Sequence, residues 1–129
     1  MLLRDALKKC PNLVPVTYDF EGYKSVAEQL YRIVACYTLK IEAVSCDELY
    51  ADLTELCQET GKTPLEVAEI IREEIWEKTK CPASAGMGPN MLVARLATKK
   101  AKPHGQCWIE QSEGSRICLQ LLNSIKKLL

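Results

Sequence analysis

The sequence predicts an α+β fold, with helices packed on one face of an antiparallel sheet. Three observations lead there. Apolar residues recur at helical spacing between Tyr23 and Leu39, two strand-like runs flank an acidic pair at Asp47 and Glu48, and Thr63-Pro64-Leu65-Glu66 opens a further helix. At 129 residues the chain fits one ordinary domain, long enough to bury a core.

Taken in order, residues 2–10 make a short helix ended by Pro11, and residues 12–19 are extended and broken by Pro15. The helix from Tyr23 to Leu39 buries Val26, Leu30, Ile33, Val34 and Tyr37. Residues 40–46 and 49–54 are the two strands of a hairpin with Asp47 and Glu48 at its tip, although no Gly or Asn marks a tight turn there. Thr63 caps the next helix, Pro64 fits its first position and Glu66 completes a capping box. That helix runs to about Lys80 and buries Val67 or Ala68, Ile71 and Ile75. Cys81 to Met87 reads as a short buried strand, Gly86 to Asn90 as a turn, and residues 90–101 as another helix. Pro103-His104-Gly105 stops it, and Gln106 to Glu110 forms a last strand. A polar break, Gln111 to Ser115, precedes an amphipathic tail carrying Ile117, Leu121, Ile125 and Leu128. The expected division is therefore residues 1–110 and residues 111–129.

Lysine plus arginine balance aspartate plus glutamate at 17 each, so the overall footprint is not that of a strongly basic nucleic-acid binder. The basic residues nevertheless bunch between Arg95 and Lys102. No apolar run approaches the roughly 20 residues of a membrane helix, and the N-terminus lacks the pattern of a signal peptide. The 7 cysteines form no Cys-X-X-Cys pair and His104 is the single histidine, so the usual zinc spacings are missing. Reduced, mostly buried thiols in a reducing compartment are expected.

Two constellations can carry chemistry. Neighbouring side chains of an unbroken strand point to opposite faces, so Asp47 and Glu48 converge only where the pleat breaks. There, two carboxylates can hold Mg²⁺ against a phosphate chain, since that ion takes one or two carboxylates and completes its shell with phosphate and water. The plainer alternative is an exposed turn, as Glu73-Glu74 is expected to be on a helix surface. The second constellation is the stripe Arg95, Lys99 and Lys102 at i, i+4 and i+7, anchored by Leu92, Val93, Leu96 and Ala97. It can contact a nucleic-acid backbone or a triphosphate, or be a solvated face. The Gly86–Asn90 loop before it can let a phosphate approach backbone N–H groups. Gly61-Lys62-Thr63 is no P-loop, because Leu56 stands where the first glycine belongs.

Three strings, LKKCPNLVPVTYDFEGYKSVAEQLY, IEAVSCDELYADLTEL and KTKCPASAGMGPNMLVARLATKKAKPHGQ, resemble in order and spacing the palm of Y-family translesion DNA polymerases. The likeness covers about residues 6–109 and is strongest to the eukaryotic deoxycytidyl transferase of that family. The resemblance implies a nuclear, Mg²⁺-dependent DNA-repair nucleotidyltransferase that adds dCMP from dCTP to a primer 3′ end opposite damaged DNA. It also implies roles for particular residues. Asp47 would bridge two metal ions, and Glu48 would hold the catalytic ion. Lys102 would contact the incoming nucleotide, while Gly86, Gly88, Asn90, Arg95 and Lys99 would lie along the DNA.

Departures from the family pattern set a further expectation. The family's additional catalytic aspartate on an early strand is matched by neither Asp5 nor Asp19. Fingers, thumb and little finger find no counterpart, and Pro89 stands where serine is commoner. The chain is thus expected to be a palm fragment with little activity alone. Two rivals stay open: a truncated palm acting as an interaction module that binds a protein partner through residues 112–129, and a palm-like nucleotide cyclase. The missing Gly-Gly before Asp47 counts against the cyclase.

Overall fold

The computed structural model describes residues 1–110 and Ser112; apart from Ser112, the predicted tail over 111–129 lies outside the described residues. Helix α1 (Leu3–Lys9) comes first, followed by α2 (Phe20–Ala35), β1 (Ile41–Ala43), β2 (Leu49–Ala51), α3 (Thr54–Thr60), α4 (Pro64–Thr79), β3 (Ala85–Met87), α5 (Met91–Ala101) and β4 (Gln106–Trp108). No helix among the described residues is long and apolar enough to cross a membrane.

Two apolar clusters hold these elements. In the first, Ile33 and Val34 of α2 pack on Val67, Ile71 and Ile75 of α4, with Ile41, Leu49 and Ala51 of the hairpin laid against them. The periodicity of both helices anticipates this face. The second joins Val93 and Ala97 of α5 to Ile109, with Cys107 alongside. Ala97 is fully buried.

The antiparallel part of the predicted sheet is the β1–β2 hairpin, paired Ile41 to Ala51 and Ala43 to Leu49. The second pair, β3 with β4, is parallel, Ala85 facing Gln106 and Met87 facing Trp108. Parallel strands need a crossover connection, and α5 supplies it.

Several boundaries differ from the sequence reading for identifiable reasons. Asp19 caps α2 by accepting from the Gly22 N–H at 2.9 Å, so that helix starts three residues earlier than its apolar pattern. It ends at Ala35, which leaves Tyr37 outside it. The second strand does not reach Thr54: the Asp52 carboxylate accepts from the Thr54 N–H at 3.0 Å, and α3 begins there. This short helix escaped the sequence reading. Its one signal is Gly61, whose φ of 65° suits the left-handed turn that ends a helix.

The capping box at Thr63 is present as expected. Thr63 N–H donates to Glu66 Oε2 at 2.7 Å and Glu66 N–H to Thr63 Oγ1 at 3.3 Å. The Thr63 backbone N–H, then its hydroxyl, hold the Glu66 carboxyl below the usual range.

Two surface expectations are corrected. Glu74 is not a bystander on an exposed face: it is half-buried and accepts from the Tyr37 hydroxyl at 2.5 Å while pairing with Lys78. The thiols are not mostly buried either. Cys10, Cys36, Cys46 and Cys81 are exposed, and Cys57 and Cys107 only partly covered.

Candidate active site

The hairpin tip spans residues 44–48 between β1 and β2. Val44 and Ser45 N–H groups both donate to the Glu48 carbonyl at 3.0 Å. From α2, the Tyr31 hydroxyl reaches the Ser45 carbonyl at 2.8 Å and the Glu48 carbonyl at 3.2 Å. The backbone of the tip is therefore fixed from inside, while its two carboxylates are exposed. Both fall outside the strands, so the alternation that would send them to opposite faces does not apply. Asp47 Oδ1 accepts from the Ser45 hydroxyl at 2.6 Å. The Glu48 carboxylate has no hydrogen bond or ion pair among the described residues.

No group of three or more His, Cys, Asp or Glu among the described residues could cage a metal ion unaided. Two exposed carboxylates with spare lone pairs fit a Mg²⁺ that draws its remaining ligands from phosphate and water. They do not fit a closed structural metal site.

The other residues singled out from the sequence lie on β3, α5 and the turn between them. The sequence singled out Gly86, Gly88 and Asn90 here, and each has a structural task. A Cβ on Gly86 would stand 2.0 Å from the Thr98 backbone N and 2.4 Å from the Ala94 carbonyl, so β3 lies directly on α5. On Gly88 it would meet Val93 Cγ1 at 2.5 Å. Asn90 caps α5, its side chain accepting from the Val93 N–H at 2.9 Å.

Along α5, Val93, Ala97 and Ala101 form the buried stripe, and Arg95 and Lys99 are exposed. Leu92 was expected to anchor the helix but is 57% exposed; the i, i+4, i+8 set of smaller residues turns it outward. Lys102 is the C-cap of α5, exposed, with backbone already extended. Asp47, Glu48, Arg95, Lys99 and Lys102 are all among the residues that line one broad, open cleft of ≈ 1770 Å³. Acidic tip and basic helix thus border one space.

Two residues that position this cleft were missed from the sequence. Tyr31 is one, and the only hint was its place three residues before buried Val34. Arg72 is the other. It lies four residues after buried Ala68, at the edge of the apolar face of α4, where a charged side chain needs acceptors.

Comparison with known proteins bears directly on this arrangement. The model of the impB/mucB/samB family matches residues 1–99. The chain belongs to that family. Its members are the Y-family polymerases that the motifs resemble. The DNA repair protein Rev1 of Drosophila melanogaster is 51% identical over 112 residues, which is 87% of this chain and 11% of that protein. DNA polymerase IV of Glaesserella parasuis serovar 5 (strain SH0165) is 39% identical over 106 residues, 82% of this chain and 30% of that protein. Among solved structures, the insertion ternary complex of Dbh DNA polymerase matches with a TM-score of 0.78 and 29% identity, covering 88% of this chain and 33% of that one. The chain therefore spans about a tenth of the Rev1 relative and a third or less of the other two. Its fold is that of a Y-family palm segment.

Proposed function

We propose that residues 1–110 are the palm segment of a translesion DNA polymerase, a DNA-directed nucleotidyltransferase of the deoxycytidyl transferase type, and that residues 111–129 are a separate tail. The observation that carries this reading is the shared cleft, whose lining includes Asp47 and Glu48 together with Arg95, Lys99 and Lys102. Family membership over residues 1–99 supports it. So does the likeness to Dbh DNA polymerase, whose structure is that of an insertion ternary complex.

Phosphoryl transfer relies on positioning and charge neutralisation more than on covalent chemistry by the protein. When bound at Asp47 and Glu48, Mg²⁺ supplies neutralisation of phosphate charge and a more acidic primer hydroxyl. The residues themselves bind and orient. Tyr31 keeps the tip backbone in place, so that only side-chain torsions remain to be ordered when a ligand arrives. Lys102 presents an ammonium to the incoming nucleotide, dCTP in this reading. Arg95 and Lys99 contact the DNA backbone by charge, without reading sequence. Gly86, Gly88 and Asn90 set the close approach of β3 to α5 that carries those cations. The site needs further groups from outside these 129 residues, including the family's additional aspartate, and the natural setting is the nucleus.

The test is primer extension opposite an abasic template position, using this chain joined behind the upstream segment of a family member. Insertion is expected from the wild-type graft and is abolished by Asp47→Asn. Robust insertion by the Asp47→Asn graft overturns the metal role.

A further inference from the structure

Arg72, which grips backbone beside the cleft, has no part in the catalytic and binding roles given above. Arg72 projects from the middle of α4 and is half-buried. Its Nε donates to the Ala83 carbonyl at 2.9 Å, Nη1 to Gln106 Oε1 at 2.9 Å, and Nη2 to the His104 carbonyl at 2.5 Å. Gln106 in turn donates from Nε2 to the Leu65 carbonyl at 3.2 Å, back on α4. Among the described residues no carboxylate pairs with Arg72, so this cation is spent wholly on neutral oxygens.

The three acceptors come from two separate segments, Ala83 from one and His104 and Gln106 from the other, and Ala83 and His104 line the cleft. Ala83 precedes β3, His104 follows α5, and Gln106 opens β4. A planar fork of fixed donors can hold such a set in one geometry, which a flexible ammonium cannot. The grip falls where the backbone needs it. His104 has φ of 54°, a left-handed conformation that residues other than glycine seldom adopt. Its neighbour Gly105 donates to the Ala101 carbonyl at 2.9 Å and accepts from Ala85 N–H at 3.0 Å. Lys102 is thus the exposed end of a loop whose other side is clamped to α4.

We propose that Arg72 is a positioning residue for Lys102: by clamping Ala83, His104 and Gln106 it fixes the direction in which the Lys102 ammonium faces the cleft. This rests on the reading of Lys102 as the contact to a nucleotide triphosphate. Arg72 itself touches no ligand.

Two measurements on the 129-residue chain separate the steps. First, amide hydrogen exchange at Ala85 and Gly105 should quicken about tenfold or more in Arg72→Met, because each lost hydrogen bond from a charged donor is worth that much. Arg72→Lys, which keeps charge and stem without the fork, should fall between, and it serves if the Met variant does not fold. Second, dCTP with Mg²⁺ is titrated and followed by the amide shifts of residues 99–105. Lys102→Ala should weaken binding about tenfold, Arg72→Met or Arg72→Lys should weaken it as well, and the double variants should be no worse than Lys102→Ala, the signature of one shared pathway. Unchanged exchange in the Arg72 variants overturns the clamp. Lys102→Ala weakening binding while the Arg72 variants leave it intact, or additive losses, overturns the positioning role and spares the Lys102 assignment. Binding indifferent to Lys102→Ala overturns that assignment, and the positioning role with it.

Discussion

The hairpin tip and the Gly86–Asn90 loop border the same cleft, yet the fold treats them differently. In the loop, every residue singled out from the sequence is consumed by structure: Gly86 and Gly88 admit α5 at distances no Cβ would permit, and Asn90 caps that helix. At the tip the backbone is consumed and the side chains are not. Tyr31 and the Glu48 carbonyl fix the turn, while Glu48 has no side-chain partner among the described residues and Asp47 bonds only to its neighbours. Motif residues in one region build the site, and in the other they are left over for a ligand. A sequence pattern does not distinguish these two uses; hydrogen-bond accounting does.

The largest effect that sharpens this contrast is at the tip. In a graft that supports primer extension, Asp47→Asn or Glu48→Gln should lower the insertion rate by about 10²-fold or more, as expected when a reacting group is misplaced. Thermal or denaturant unfolding of the same variants should move by no more than about 0.5 kcal/mol, as for surface changes that break no structural contact. A large stability loss would break the contrast, because it would make those carboxylates structural.

At the loop the prediction reverses. Gly86→Ala forces a methyl into the backbone of α5 and should destabilise the chain by roughly 1–3 kcal/mol or more, read by denaturant unfolding. Asn90→Ala removes a cap and should cost about 1 kcal/mol. Near wild-type stability in both variants would break the contrast, because it would take away the structural task assigned to these residues.

The smallest effect tests the bond that ties the segment after α2 to α4. Burial, followed by the hydrogen bond to Glu74, pushes the Tyr37 phenol up to about 12 from 10.0. The folded state therefore holds this proton more tightly than the unfolded chain. The associated stability is fully present below about pH 10, the unfolded value, and is lost as pH rises towards about 12. Tyr37→Phe should remove that component of the alkaline slope in unfolding titrations, and an identical slope would contradict the assigned bond.

How much of this was legible in the sequence follows from what each element depends on. Apolar periodicity placed α2, α4 and α5, and local cap chemistry at Thr63 was readable because all its partners lie within three residues. The acidic tip was readable because Asp47 and Glu48 interrupt two strand-like runs. Helix α3 was missed, since it buries no residue and has no side-chain cap. The parallel pairing of β3 with β4 depends on where α5 returns the chain, which no local pattern encodes. Tyr31 and Arg72 were missed for the same reason: their acceptors stand 11 to 34 residues away in the chain. Leu92 was misplaced because either side of α5 could be read as its apolar face, and only packing against the β3–β4 pair and Ile109 chose Val93 and Ala97.

The most direct test of the shared cleft is paramagnetic broadening by Mn²⁺ with a non-hydrolysable dCTP analogue, recorded on the amide signals of the 129-residue chain. Broadening should centre on residues 45–48, extend across the cleft to residues 99–102, and vanish in the Asp47→Asn, Glu48→Gln double variant. Broadening that persists in the double variant, or that reaches the tip without the end of α5, would contradict a phosphate-binding metal site between them.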